Sequence, residues 1–293
     1  MILILAAIVF TTSLMVCFKL FVNFKVNTFH AVVINYYTAS ATSYFLAEKN
    51  FNFRISDPWF QFSFGIGLLF LVTFMAMSIT AQKISVIKSI ISSKMSLIIP
   101  ITYAVIFIGE ELTIVKIIAL ILAMAGVLLT VIKPADTQKK NAGSAKSLLM
   151  LGVVFIGSGL VDTSFKVIET YFYSNTPPQF VMMVCYGSAA IFGTLYFLLQ
   201  WIKGKPKVEL KSIFAGIILG VLNYFSFIFV LDALHTPSLP SLVVFPLVNV
   251  GVLLLSTLIA ILFFKERLRT INYIGVILSI ISIFILAYQS YVV

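Results

Sequence analysis

Charge is scarce in this sequence. Asp, Glu, Lys and Arg together supply 10% of its 293 residues, against 61% hydrophobic ones, and the mean hydropathy is +1.11. A water-soluble fold would lack the polar groups to cover its surface, whereas a bilayer demands this composition. Cysteine is nearly absent as well. Cys17 and Cys185 both sit inside apolar runs, which excludes a disulfide framework or a CxxC motif and leaves two small core residues. Histidine is as scarce, with His30 and His235 at loop edges far apart in the chain, so no metal and no other cofactor is expected. No HExxH, GxSxG, CxxC or Walker pattern occurs, and enzyme chemistry is not expected. The glycine pairs of "GIG" (65 to 67), "GSG" (157 to 159) and "AGIILG" (215 to 220) join no soluble strand to a helix, and they read as close-packing positions. Residues 1 to 21 lack a basic start and a small-residue cleavage site, so they are expected to form a span and not a removed signal.

What the sequence has is apolar length. A helix needs about 20 apolar residues to cross ~30 Å of hydrocarbon, and runs of that size lie near 2 to 21, 29 to 47, 58 to 81, 86 to 108, 113 to 132, 148 to 170, 178 to 201, 212 to 231, 239 to 264 and 270 to 291. Short turn-like or charged stretches such as "EKNFNFRISD", "GEELT", "SNTPP" and "HTPSLP" separate them. The runs lack the alternation of a transmembrane barrel. The expected fold is therefore an all-α membrane protein of ten transmembrane helices, with Trp59 and Trp201 at span ends as interfacial anchors.

The longest hydrophilic stretch, Lys133 to Lys146, divides five spans from five. "CFKLF" (17 to 21) matches "SFKVI" (164 to 168), "NYYTASA" (35 to 41) matches "CYGSAAI" (185 to 191), and "GEELTIVKIIALILAMAGVLL" (109 to 129) matches "KERLRTINYIGVILSIISIFI" (265 to 285). These matches occur in order at nearly one spacing, aligning Glu110 with Glu266. The expected organisation is a first five-helix repeat over 1–132, a polar linker over 133–147 and a second repeat over 148–293. An odd number of spans per repeat turns the second copy over, the inverted-repeat plan of many secondary transporters.

"PITYAVIFIGEELT" (100 to 113) and the Ala- and Gly-rich run after it, together with "FFKERLRTINYIGVIL" (263 to 278), resemble the junction of the fourth and fifth helices in EamA-like members of the drug/metabolite transporter superfamily. The resemblance covers the whole chain and implies a ten-helix carrier working by alternating access, exporting amino acids, metabolites or drugs. Ser256 stands where the second copy would carry the proline matching Pro100, and Pro246 lies earlier, which leaves open a bend in the ninth span at the corresponding place.

Setting Lys94 aside, the ends joined after odd-numbered spans hold fifteen Lys or Arg (19, 25, 83, 88, 133, 139, 140, 146, 203, 205, 207, 211, 265, 267 and 269) and the other face holds four (49, 54, 116 and 166). The positive-inside rule makes the first face cytoplasmic and both termini extracytoplasmic, whereas the family resemblance implies cytoplasmic termini. We take the charge bias. The net charge of +10 then meets anionic lipid headgroups, and no nucleic-acid partner is expected.

Polar groups at membrane depth remain as candidate site residues. An ionisable group there costs about 2.5 to 3.5 kcal/mol and normally faces a cavity or a partner. Asp162 and Lys166 are four apart and able to neutralise each other on one helix face. Lys19 and Lys88 lie near span ends, where snorkelling suffices. Lys94 has no carboxylate three or four residues away, so its partner is expected from another helix, from water or from a ligand. Ser93, Asn35, Tyr36, Tyr103, Tyr186, Asn223, Tyr224 and Asn249 complete the set, each serving either as interhelical glue or as site. The repeat places Ser93 against Asn249, making the fourth and ninth helices the expected walls of a midplane cavity. The expected function is secondary transport, most simply export, of a small polar metabolite such as an amino acid or organic anion, from the inner membrane, with protons as an optional coupling ion through Asp162. The alternatives are a non-transporting membrane receptor or assembly protein, or a broad-specificity drug exporter.

Overall fold

The computed structural model describes residues 1–47, 52–83, 86–131, 145–202, 209–236, 239–263 and 270–292. The sequence-expected linker falls almost wholly outside these residues, as do Glu266 and the side chains of Lys19 and Lys88. Every regular element among them is helical: α1 (Ile2–Asn23), α2 (Thr28–Leu46), α3 (Pro58–Lys83), α4 (Val86–Met95), α5 (Ile98–Tyr103) running into a π-helical turn (Ala104–Ile108), α6 (Ile114–Val131), α7 (Ala145–Tyr171), α8 (Pro178–Ile202), α9 (Leu210–Leu234), α10 (Ser241–Leu262) and α11 (Thr270–Val292). Taking α4, α5 and the π turn as one interrupted rod gives ten, at the positions expected from hydropathy.

Five of these helices are long and apolar enough to cross a membrane: Pro58–Met77, Ser147–Tyr171, Pro178–Ile202, Leu210–Leu234 and Ser241–Ile259. Shorter apolar helical stretches are Ile2–Phe18, Ser92–Ile108, Ile114–Thr130 and Thr270–Leu286. The outer surface is lined with side chains such as Phe45, Phe214, Ile218, Ile121 and Phe284, all more than half exposed, an apolar coat of the kind that marks a protein- or membrane-facing surface. Several hydroxyls inside the helices turn back onto their own backbones, as Ser63 onto the Trp59 carbonyl, Thr80 onto Ala76 and Thr163 onto Gly159, which satisfies those groups without water.

The fourth and ninth rods differ in the way the sequence left open. The fourth breaks at Ser96–Leu97, four residues before Pro100, because proline has no N–H to continue the ladder and crowds the preceding turn. It ends in a π turn closed by the Gly109 N–H, which donates to the Ala104 carbonyl, with Gly109 at φ 80°, a left-handed position that glycine takes without steric cost. α10 instead runs unbroken through Pro246, which lies in its second turn, where few backbone bonds are lost.

Interactions between helix ends sort the junctions into two faces. On one, Asn27 before α2 meets Ser212 of α9 through an N–H donated to the hydroxyl at 3.2 Å, and Asn272 of α11 donates to the Leu129 and Thr130 carbonyls of α6. On the other, Ser43 of α2 donates to the Gln179 carbonyl of α8 and Glu110 meets Ser241. Successive rods therefore alternate in direction. Exchanging α1 with α7, α2 with α8, α3 with α9, the α4–α5 rod with α10 and α6 with α11 also returns the same principal neighbours: α1 on α9 and α10 becomes α7 on α3 and α4–α5, α2 on α9 becomes α8 on α3, and the pairs α2–α8 and α6–α11 map onto themselves. At the α6–α11 crossing Gly126 and Gly275 face each other so closely that a Cβ on either would collide with the opposite backbone, the small-residue contact that lets helices approach without a hydrophobic drive. The core between α2, α3, α7, α8 and α9 is aromatic, with Phe227 stacked on Phe165 at 4.8 Å and on Phe70 at 5.7 Å.

Candidate functional site

Lys94 occupies the last turn of α4, immediately before the break. Carbonyls left without helical partners there form the negative end of the helix dipole, which favours a cation. Its ammonium donates to the Asn249 side-chain oxygen of α10 at 2.6 Å, and the Asn249 amide nitrogen is anchored on the Phe245 carbonyl at 3.0 Å. The partner thus comes from another helix, and α4 and α10 face each other. Asp162 of α7 lies within electrostatic reach of Lys94, but no direct ion pair joins them. Lys94, Asp162 and Asn249 each stay partly accessible, while their neighbours Val161, Val248 and Val250 are buried. Ser93, beside Lys94, is likewise partly accessible.

A second set is neutral and fully enclosed. Asn223 of α9 donates to the Asn35 oxygen of α2 at 3.0 Å, and the Tyr186 hydroxyl of α8 donates to the Asn223 carbonyl at 3.3 Å. Tyr36 and Tyr186, which the repeat aligns, stack with ring centroids 6.3 Å apart. Three polar atoms here find no partner: the Tyr36 hydroxyl, the Asn35 amide nitrogen and the Asn223 amide oxygen. A buried polar group left so costs about 1 to 3 kcal/mol. Tyr224 is buried next along α9 and feels the Asp232 carboxylate.

The expected Asp162–Lys166 pair does not form. Lys166 instead lies 3.1 Å from Glu110 and 2.9 Å from Glu169. Two carboxylates, one from the next turn and one from the loop before α6, outcompete a single residue one turn back that has Lys94 in view. Glu110 accepts from the Ser241 hydroxyl at 2.7 Å and from the Ser241 and Leu242 N–H groups at 3.2 and 3.1 Å, capping α10, whose own N-cap residue, Pro240, supplies no side-chain bond. Burial works against the Glu110 carboxylate, but the Ser241 hydroxyl, the Lys166 ammonium and the Leu242 N–H together hold its pKa below the ordinary carboxylate value. The cluster continues to His235, whose Nδ1 is 3.6 Å from Glu169 and whose ring stacks on Tyr173 at 3.9 Å. The Tyr173 hydroxyl donates to Asp232 at 2.7 Å, and burial followed by that carboxylate pushes the phenol's pKa up. Tyr103 belongs at this end too, bonded to Tyr171 and stacked on Phe107, and not at Lys94.

Glu110, aligned with Glu266 in the repeat, and His235, at a loop edge, are not among the expected site residues, nor are Glu169, Asp232 and Tyr173. The available signal was the repeated acid of "GEEL" and "KERL". His30 and His235 do not form a metal pair: His30 packs against Phe29 and Phe197 near the Ser212 end of α9, and His235 follows the other end of that 25-residue helix, ~35 Å away. Among the described residues no group of His, Cys, Asp and Glu is placed to hold a metal ion.

No family model matches the chain. A solved crystal structure of a protein superposes with a TM-score of 0.75 over 99% of this chain and 96% of that one at 14% identity, a likeness of fold alone. A Haemophilus influenzae protein described as uncharacterized is 31% identical over 264 residues, covering 88% of each chain. At that identity and coverage, this chain and the Haemophilus influenzae protein belong to one family.

Proposed function

We propose that the chain is a multi-pass inner-membrane carrier that moves a small carboxylate-bearing metabolite, such as an amino acid or organic anion, by alternating access between two inverted five-helix repeats. The observation that carries this reading is Lys94 at the break of α4, an ammonium whose one direct side-chain partner among the described residues is a neutral amide, with Asp162 nearby but unpaired. A permanent structural charge would be expected to close on a carboxylate. One left on Asn249 keeps its donors free for an anionic group of a ligand, whose binding offsets the cost of burying the ammonium. An interrupted helix with a charge at its break is how carriers build ion and substrate sites at membrane depth. The neighbour relations that survive exchange of the halves support the inverted repeat, and the resemblance of residues 100 to 113 to EamA-like drug/metabolite transporters points the same way. Asp162, within electrostatic reach of Lys94, is the group through which protons would couple to transport.

The test is a metabolite uptake and efflux screen in lipid vesicles containing the purified protein, repeated with Lys94→Met. Accumulation of a carboxylate-bearing solute that the variant abolishes supports the reading. Failure of every solute class to move faster than through protein-free vesicles would sink it. Orientation is tested separately by reporter fusions at the C-terminus, expected to be active only outside the cytoplasm.

A further inference from the structure

We propose that Glu110, Lys166 and Glu169, with the N-terminus of α10, are a gate that seals one mouth of the carrier and is closed in this structure. The inference rests on the carrier reading, and it assigns residues outside the Lys94 site. Glu110 belongs to the first half of the chain. Lys166, Glu169, Ser241 and Leu242 belong to the second. All the contacts between them cross from one half to the other, except the Lys166–Glu169 pair, which holds the ammonium in place at 2.9 Å. The groups are nearly enclosed, with side-chain exposures of 13%, 9% and 14% for Glu110, Lys166 and Glu169. Their attraction is therefore stronger than that of a surface pair. Glu110 and Glu169 stand within a turn of a helix end and Lys166 within two, so a small separation of α10 from the α6 loop would let water reach these bonds. That combination, strong when packed and readily solvated when parted, gives two discrete arrangements and not a graded one.

The cluster has a further mark of a latch. Glu110 is the only carboxylate among the described residues that both caps a helix of the other half and pairs with a lysine there. Removing it therefore releases α10 and α7 together, the two helices that carry Asn249 and Asp162. The gate and the site are mechanically joined through those rods. In sequence, the repeat aligns Glu110 with Glu266 and Lys166 with Lys19, placing one acid and one lysine on the opposite face as well.

The experiment reads access to the midplane and needs no substrate. In a background with Cys17 and Cys185 replaced by alanine, Ser93→Cys serves as reporter. A membrane-impermeant maleimide is applied to spheroplasts and to inside-out vesicles, which expose opposite faces. Glu110→Gln and Lys166→Met are each expected to raise labelling of the reporter thiol from the gate's face about tenfold and to lower it from the other. Glu209→Gln, which breaks the Lys211 pair on the opposite face, is expected to leave the gate-face rate unchanged. Size-exclusion profiles check folding. If Glu110→Gln does not fold, Lys166→Met, which leaves the α10 cap in place, gives the same reading. Labelling that ignores both variants while the reporter thiol remains reachable overturns the gate and leaves the carrier standing. A reporter thiol reached from neither face overturns both.

Discussion

The Lys94 ammonium and the Asn249 side-chain oxygen stand 2.6 Å apart across 155 residues of sequence, a charged donor resting on a neutral acceptor inside an apolar bundle. A neutral amide does little to offset the desolvation of an ammonium, so the pair is better suited to hold the lysine in position than to satisfy it. Lys94→Met removes the charge and keeps much of the apolar stem. The variant is expected to insert, purify as a monodisperse species and melt within a few degrees of the parent, while solute uptake falls to background. Uptake at the parent rate by a folded Lys94→Met protein removes Lys94 from the site.

Tyr36 separates packing from binding in the central aromatic set. Its hydroxyl is fully buried and without a partner. Tyr36→Phe deletes an unsatisfied donor without changing shape, and is expected to leave stability unchanged or raise it by about 1 kcal/mol. A clear loss of thermal stability would show that the hydroxyl is hydrogen-bonded in the membrane.

Glu110→Ala is expected to cost more than a surface charge does, because it strips the cap from α10 and leaves Lys166 with Glu169 alone. Loss of the cap costs about 1 kcal/mol and loss of a partner from a nearly enclosed pair adds to it, for a total of about 2 to 3 kcal/mol. Combining Glu110→Ala with Lys166→Met is expected to recover part of the loss, since the lone ammonium is then gone too. Additive melting shifts in the double variant would mean that the two residues do not interact.

The same carboxylate sets a pH dependence with a definite sign. The pKa of Glu110 is held below the ordinary value of 4.5, so the unfolded chain takes up a proton first as pH falls. The stability it contributes is complete above about pH 4.5 and drains away as pH drops through the depressed native value. Melting curves of the parent in detergent are expected to lose stability in that acid window more steeply than those of Glu110→Gln. Parallel curves for the two proteins would contradict the assignment.

Gly126 and Gly275 define the α6–α11 crossing. Gly275→Val is expected to abolish folded protein, because its side chain would enter the Thr130 and Gly126 backbone. Gly152→Ala, at a position with nothing within 4 Å, is expected to express as the parent does and to gain slightly from helix propensity. Normal expression of Gly275→Val would show that the two helices lie farther apart.

The positions of the rods were legible in the sequence because they depend on local quantities. Some twenty apolar residues in succession, ended by Gly, Pro or charge, form a helix in any apolar surrounding, whatever its neighbours. The need of Lys94 for a partner from elsewhere was legible for the same reason, since its own helix offers no carboxylate. Only the tertiary structure decided where the charges go. Asp162 and Lys166 satisfy the one-turn spacing of a helical pair, yet Lys166 turns to Glu110 and Glu169, because helix spacing makes a contact possible and packing decides which of several possible contacts has the most partners. Nor does any local rule connect Glu110 to the start of α10, where a loop acid from one half supplies the cap that Pro240 cannot. Apolar periodicity is read residue by residue, whereas a buried polar group is placed by the whole set of donors and acceptors that the fold brings within about 3 Å of it.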